Sequence, residues 1–184
     1  MTSHRSTDMI PNAASSGRRL SGEGLYTAEE RKRRDATGWT MVQGVLAPVQ
    51  FLVFLVSLTL VLHALSTGEG YALATASVVV KTCVLYAIMV TGSIWEKVVF
   101  GRYLFAPAFF WEDAVSMVVI ALHTAYLALL VFHADGVHLQ LIVALAAYAT
   151  YVVNAGQFVF KLRAARKQEE AARRATTAGP EAFA

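Results

Sequence analysis

The chain has 184 residues, 56% of them hydrophobic and only 16% charged, with a net charge of +3. A soluble domain keeps about a quarter of its residues charged, so this apolar excess must face something other than water. An extracellular scaffold, a coiled coil and a soluble enzyme with a hydrophilic surface are excluded. Cys83 is the single cysteine, which excludes an internal disulfide and a Cys-based zinc site. The basic residues flank apolar spans and do not interleave with exposed aromatics, so they speak for membrane topology and against a nucleic-acid partner.

Residues 1–24 contain Arg5, Arg18 and Arg19 among Ser and Thr and no apolar run. They read as a disordered tail without a cleavable secretory signal. Within 25–40, Thr27-Ala28-Glu29-Glu30 is a capping-box pattern opening a short helix through Arg31-Lys32-Arg33-Arg34, a basic interfacial helix suited to anionic headgroups. A helix crosses a bilayer with roughly 20 apolar residues, and 41–65, 72–94, 114–133 and 138–160 each reach that length. The expected fold is therefore all-α, an integral membrane four-helix bundle occupying 41–168, with a helical or disordered tail at 169–184. Pro48 frees the carbonyl of Gly44 and predicts a kink in the first span. The joints at 66–71 and 134–137 carry no Lys or Arg, whereas the two ends and the central connection carry fifteen. By the positive-inside rule both termini and that connection are cytoplasmic.

Polar residues inside the spans need a reason, because a charge at mid-helix costs about 2.5–3.5 kcal/mol on insertion scales. Lys81 and His123 sit near the midpoints of the second and third spans. His123 suits a metal ligand or proton carrier, or an imidazole hydrogen-bonded to a neighbouring helix; Lys81 needs a buried partner or a ligand carboxylate. Glu112, Ser116, Val119 and His123 share one face of the third helix by its 3.6-residue period, with Asp113 turned about 100° away. Asn154 and Gln157 on the fourth helix, with Gln43 and Gln50 on the first, add to a polar interior open toward the cytoplasm. The central connection 95–113 carries Glu96, Lys97, Arg102, Glu112 and Asp113 together with seven aromatics, among them Trp95 and Trp111. An interfacial aromatic belt accounts for one or two of these rings; the full density suits a large, flat, apolar ligand. No phosphate loop, Ser-His-Asp set or HExxH pair is present.

Leu25-Tyr26-Thr27, Trp39-Thr40-Met41-Val42-Gln43-Gly44-Val45-Leu46-Ala47-Pro48, Thr91-Gly92-Ser93-Ile94-Trp95-Glu96-Lys97-Val98-Val99-Phe100-Gly101, Phe105-Ala106-Pro107-Ala108-Phe109-Phe110-Trp111-Glu112-Asp113, Tyr151-Val152-Val153-Asn154-Ala155 and Lys161-Leu162-Arg163 stand in this order. Together they resemble the 2-vinyl (3-vinyl) bacteriochlorophyllide hydratase family, over about residues 25–168. The resemblance implies a hydro-lyase without a cofactor, in the cytoplasmic (inner or photosynthetic) membrane. Such an enzyme adds water to the 3-vinyl group of chlorophyllide a or 3-vinyl bacteriochlorophyllide to leave a 1-hydroxyethyl group. Its partners would be the Mg-chlorin substrate, the lipid bilayer and other enzymes of pigment biosynthesis. Two other classes of function are compatible with these residues: a non-catalytic pigment carrier or assembly factor, which needs the aromatic site but no acid, and, ranked last, a small proton-coupled transporter, whose polar residues would continue to the far side.

Hydration of this kind needs a proton donor for the terminal vinyl carbon and a base that orients water. Glu112, looking into the bundle, is the expected acid, with Glu96 or Asp113 as base. Lys97 or Arg102 is expected to hold the substrate propionate, with Lys81 as the alternative for a deeply inserted ring. Trp95, Trp111, Asn154 and Gln157 are expected to line the pigment. The protein needs no metal of its own, and His123 is a candidate axial ligand to the substrate Mg. The charge bias predicts that reporter fusions at Ala184 and Asp135 fall on opposite sides of the membrane; the same side for both would overturn the topology.

Overall fold

The computed structural model describes residues 25–132 and 136–177. They form five helices, α1 (Ala28–Ala36), α2 (Gly38–Thr67), α3 (Tyr71–Phe100), α4 (Phe110–Val131) and α5 (Val137–Thr177), and no strand among the described residues. The capping box at Thr27 forms: its hydroxyl accepts from Glu30 N at 3.3 Å, and Glu30 Oε2 accepts from Thr27 N at 2.8 Å. Thr37 ends α1 and caps α2 by accepting from Trp39 N.

Helices α2 to α5 are each long and apolar enough to cross a bilayer. The helices outrun the expected spans because apolar content marks where lipid ends, whereas a helix ends where the backbone finds a cap. Gly68 (φ 76°) and Gly101 (φ 81°) adopt the left-handed conformation that closes α2 and α3, and their amides return to Ala64 O and Lys97 O at 3.0 Å each. The central connection is consequently 101–109, shorter than the expected 95–113; Glu96 and Lys97 are in the last turn of α3, and Glu112 and Asp113 in the first turn of α4. Helix α2 continues through Pro48.

Two antiparallel hairpins, α2–α3 and α4–α5, pack face to face. No more than 39% of any span's apolar window is buried inside the protein, so most of the apolar surface, Val45, Leu52, Val56 and Ile142 included, is left for lipid. The interior is small-residue and aromatic: Val61, Ala64, Ala74, Val78, Ala144 and Ala147 are fully buried, and Phe54 packs on Tyr148 and Tyr151 with ring centres 5.5 and 4.9 Å apart. Small side chains allow close helix approach where lipid supplies no hydrophobic drive. Tyr148 joins the hairpins, its hydroxyl 2.5 Å from Ser57 Oγ, which in turn lies 2.7 Å from Ser77 Oγ.

A second cluster closes the end of the bundle that carries the α3–α4 loop. Tyr26 stacks on Phe100 at 5.8 Å, and Trp95, Phe109 and Phe158 complete the group. Helix α1 folds back onto this cluster, with Arg34 Nη1 3.0 Å from Glu169 Oε1 on the extension of α5 and its guanidinium over the Tyr26 ring. The basic helix therefore has a protein-facing side, while Lys32 and Arg33 stay exposed. Burial raises the Tyr26 phenol above its ordinary value, and Arg34 beside it acts in the opposite sense. Interhelical hydrogen bonds within a bilayer are worth about 0.6 kcal/mol on average and up to about 1.7; Ser57→Ala, which cuts both the Tyr148 and Ser77 contacts, should destabilise the detergent-solubilised protein by that amount in reversible unfolding.

Candidate active site at the loop end of the bundle

The glycine stop at 101 turns the chain back across the end of α3, and the loop 101–109 folds over the carboxylates at the two helix ends. Phe105 has a φ of 56°, the left-handed region that a bulky residue adopts only under constraint. This conformation is held by two successive amides: Phe105 N donates to Asp113 Oδ2 at 2.7 Å, and Ala106 N donates to Glu96 Oε2 at 3.3 Å. Glu96 and Asp113 are 6% and 3% exposed, and their side chains are within hydrogen-bonding reach of one another. Asp113 is thus turned from the Glu112 face yet equally buried, because the loop covers it.

Glu112, Ser116, Val119 and His123 are all buried, as the period of the helix requires. The Glu112 carboxylate meets Lys161 of α5, whose Nζ lies 2.5 Å from Oε2 and also over the Phe109 ring. One turn deeper, Asn154 Nδ2 donates to Ser116 Oγ at 2.8 Å. Trp95 is half-buried beside the carboxylates, with Nε1 donating to Thr40 Oγ1 at 3.0 Å and its ring edge-on to Phe100 and Phe109. Gln157 is half-buried, and its Oε1 has no protein partner.

The remaining expected site residues divide between the middle and the outside of the bundle. Lys81 and His123 are fully buried at mid-span, Lys81 Nζ 4.0 Å from the Tyr151 ring centre and the His123 ring 5.9 Å from that of Tyr148. Lys97 and Arg102 are exposed; Lys97 Nζ donates to Gly101 O at 2.9 Å and lies over Tyr103. Trp111, 71% exposed, stacks edge-on with Phe110 at the outer surface and is not brought to the carboxylates. Among the described residues, no three His, Cys, Asp or Glu side chains gather in a metal-binding arrangement. Sequence reasoning gave Lys161, Tyr148 and Tyr151 no role in the site, although Tyr151 and Lys161 stand in runs that carry the family resemblance. Their signal is the period of α5, since Ala144, Ala147, Tyr151, Asn154, Phe158 and Lys161 recur at three or four residues and face the other helices.

These features define a four-span helical membrane protein with a covered group of carboxylates and aromatics at one end of its bundle. A family model described as 2-vinyl bacteriochlorophyllide hydratase matches residues 26–164. A 2-vinyl bacteriochlorophyllide hydratase of Cereibacter sphaeroides is 70% identical over 148 residues, which cover 80% of this chain and 92% of the relative. The protein of the same name from Rhodobacter capsulatus is 66% identical over 148 residues, covering 80% and 86% respectively. The chain belongs to the 2-vinyl bacteriochlorophyllide hydratase family. No solved structure matches it.

Breaking a half-buried ion pair from one side leaves the other charge unmatched. Lys161→Met should therefore destabilise the protein by roughly 1–3 kcal/mol, and adding Glu112→Gln should restore most of that loss. Thermal unfolding of the two variants in detergent checks this; a double variant no more stable than Lys161→Met would show that the pair is not what Lys161 contributes.

Proposed function

We propose that this protein hydrates the vinyl group of a bacteriochlorophyll precursor, as the names of its relatives state for them. In enzyme-class language it is a carbon–oxygen lyase run in the direction of water addition. It works in the cytoplasmic or photosynthetic membrane, with both termini, α1 and the loop 101–109 on the cytoplasmic side. Other enzymes of pigment biosynthesis meet it there to deliver substrate and remove product.

The observation that carries the mechanism is the Glu96–Asp113 pair beneath the loop. Two carboxyl groups within hydrogen-bonding reach in a water-poor site do not both ionise and hold one proton between them. That proton passes to the terminal vinyl carbon as the π electrons form the new C–H bond. Cationic character develops on the inner carbon, spread into the macrocycle and stabilised by the paired carboxylate. Water then attacks the inner carbon, and its spare proton returns to the pair, so the carboxyls begin and end the cycle with one proton. The aromatic group around Trp95 and Phe109 faces the flat ring, and Asn154 and Gln157 offer polar contacts along its flank.

Glu112 is better placed as an anchor than as the acid, because its carboxylate is already engaged by Lys161 of α5. His123 is too deep to ligate the substrate Mg while the vinyl group meets Asp113: ten residues separate them on α4, roughly 15 Å of helix at 1.5 Å per residue. Purified protein incubated with 3-vinyl chlorophyllide should yield a product heavier by one water. Glu96→Gln and Asp113→Asn should each lose about 10² to 10⁴ in turnover, the usual worth of a positioned acid, while still binding pigment; Glu112→Gln should lose far less. Pigment binding without any mass gain in the unaltered protein would instead identify a carrier.

A further inference from the structure

The middle of the bundle contains a set of polar groups that the hydration chemistry does not use. Lys81 is fully buried, and its ammonium has no hydrogen-bond partner within the protein and no ion pair among the described residues. Its neighbours are the faces of Tyr151 and Tyr148, at 4.0 and 5.7 Å from the ring centres. Cation–π contact tempers the charge but leaves the N–H donors directed at nothing. Gln50 on α2 is 2% exposed with both amide atoms unpartnered, one turn from Phe54, whose ring packs on Tyr148 and Tyr151. His123 Nδ1 lies 2.8 Å from Val119 O. A carbonyl only accepts, so the ring proton is on Nδ1, and the unpartnered Nε2 presents a neutral lone pair.

Gln50 of α2 and Lys81 of α3 thus bring unpartnered donors to the middle of the bundle and no counter-charge with them, while His123 of α4 adds only an acceptor. A buried ammonium kept in this state is costly unless something anionic joins it. The depth of the layer relative to the carboxyl pair says which anion fits. Lys81 stands at the level of Tyr151, whereas the carboxylates stand at that of Phe158 and Lys161, since Phe109 stacks on Phe158 and Glu112 pairs with Lys161. Seven to ten residues of α5 separate those levels, roughly 10–15 Å at 1.5 Å per residue. A flat macrocycle whose reacting edge meets Glu96 and Asp113 spans that gap with a single flexible acidic arm.

We infer that Lys81, assisted by Gln50, is the binding site for the substrate's propionate carboxylate, so that the pigment enters acid-first and its vinyl edge stops at the carboxyl pair. This rests on the hydratase reading for the identity of the substrate. It moves the expected anchor from Lys97 and Arg102 on the outer surface to the centre of the bundle, where the same charge pair gains far more from the low dielectric. It also explains a free-acid pigment as substrate: a methyl ester would strand the ammonium.

Binding of 3-vinyl chlorophyllide and of its propionate methyl ester to the full-length protein in detergent can be followed through pigment absorbance. The unaltered protein should bind the acid at least on the order of tenfold more tightly than the ester, the least expected of a buried charge-assisted pair. Lys81→Met should lose that preference by weakening acid binding alone, with thermal stability kept or raised because Met fills the space without a buried charge. Gln50→Leu should reduce the preference in part, and Lys97→Met and Arg102→Gln should retain it. An unchanged acid-to-ester ratio in Lys81→Met, equal loss of both pigments in that variant, or loss of the preference in the surface variants would overturn the assignment. Should the preference follow Lys81 while no pigment gains water, the carboxylate site stands and the hydratase reading fails.

Discussion

Every polar group placed at membrane depth must find its partner inside the protein, and this constraint organises the whole molecule. Lipid offers neither hydrogen bonds nor a hydrophobic gain for bringing helices together. The hairpins therefore join where side chains are small and where Ser57, Ser77 and Tyr148, or Asn154 and Ser116, complete one another. Where the bundle leaves a polar atom without a protein partner, as at Lys81, Gln50 and His123, it has accepted a cost that packing alone would have removed.

The same constraint shapes the carboxyl pair. Glu96 and Asp113 belong to helix ends, where water would ordinarily solvate them, and the loop 101–109 removes that water while supplying two backbone donors. The left-handed turn at Phe105 is the local cost of aiming both amides inward. It is offset by the hydrogen bonds these two amides make to the carboxyl groups. The aromatic cluster of Tyr26, Trp95, Phe100, Phe109 and Phe158 then holds the loop on the bundle. Through Tyr26 and the Arg34–Glu169 pair, α1 and the extension of α5 become part of the same end structure.

Charge is distributed in three tiers along the bundle. Lys97 and Arg102 sit at the surface, Lys161 pairs with Glu112 one layer in, and Lys81 lies at the centre. The effective strength of each cation for an anionic ligand rises with depth, because screening by water falls.

The four spans, the capping box at Thr27 and the shared buried face of Glu112, Ser116 and His123 were legible in the sequence. Each follows from a local rule: apolar length, a three-residue capping offset or the period of a helix. Family membership was legible as well, from runs such as Trp95-Glu96-Lys97 and Phe110-Trp111-Glu112-Asp113. What remained out of reach was every pairing between distant segments. Lys161 reaches Glu112 across 49 positions, Arg34 reaches Glu169 across 135, and Asp113 is covered by a loop whose path depends on one left-handed residue. The sequence determined which side chains would be held at membrane depth. Only the tertiary structure decided which of them were paired and which were left without a protein partner, since that depends on how two hairpins register against each other, and helical periodicity carries no information about register between helices.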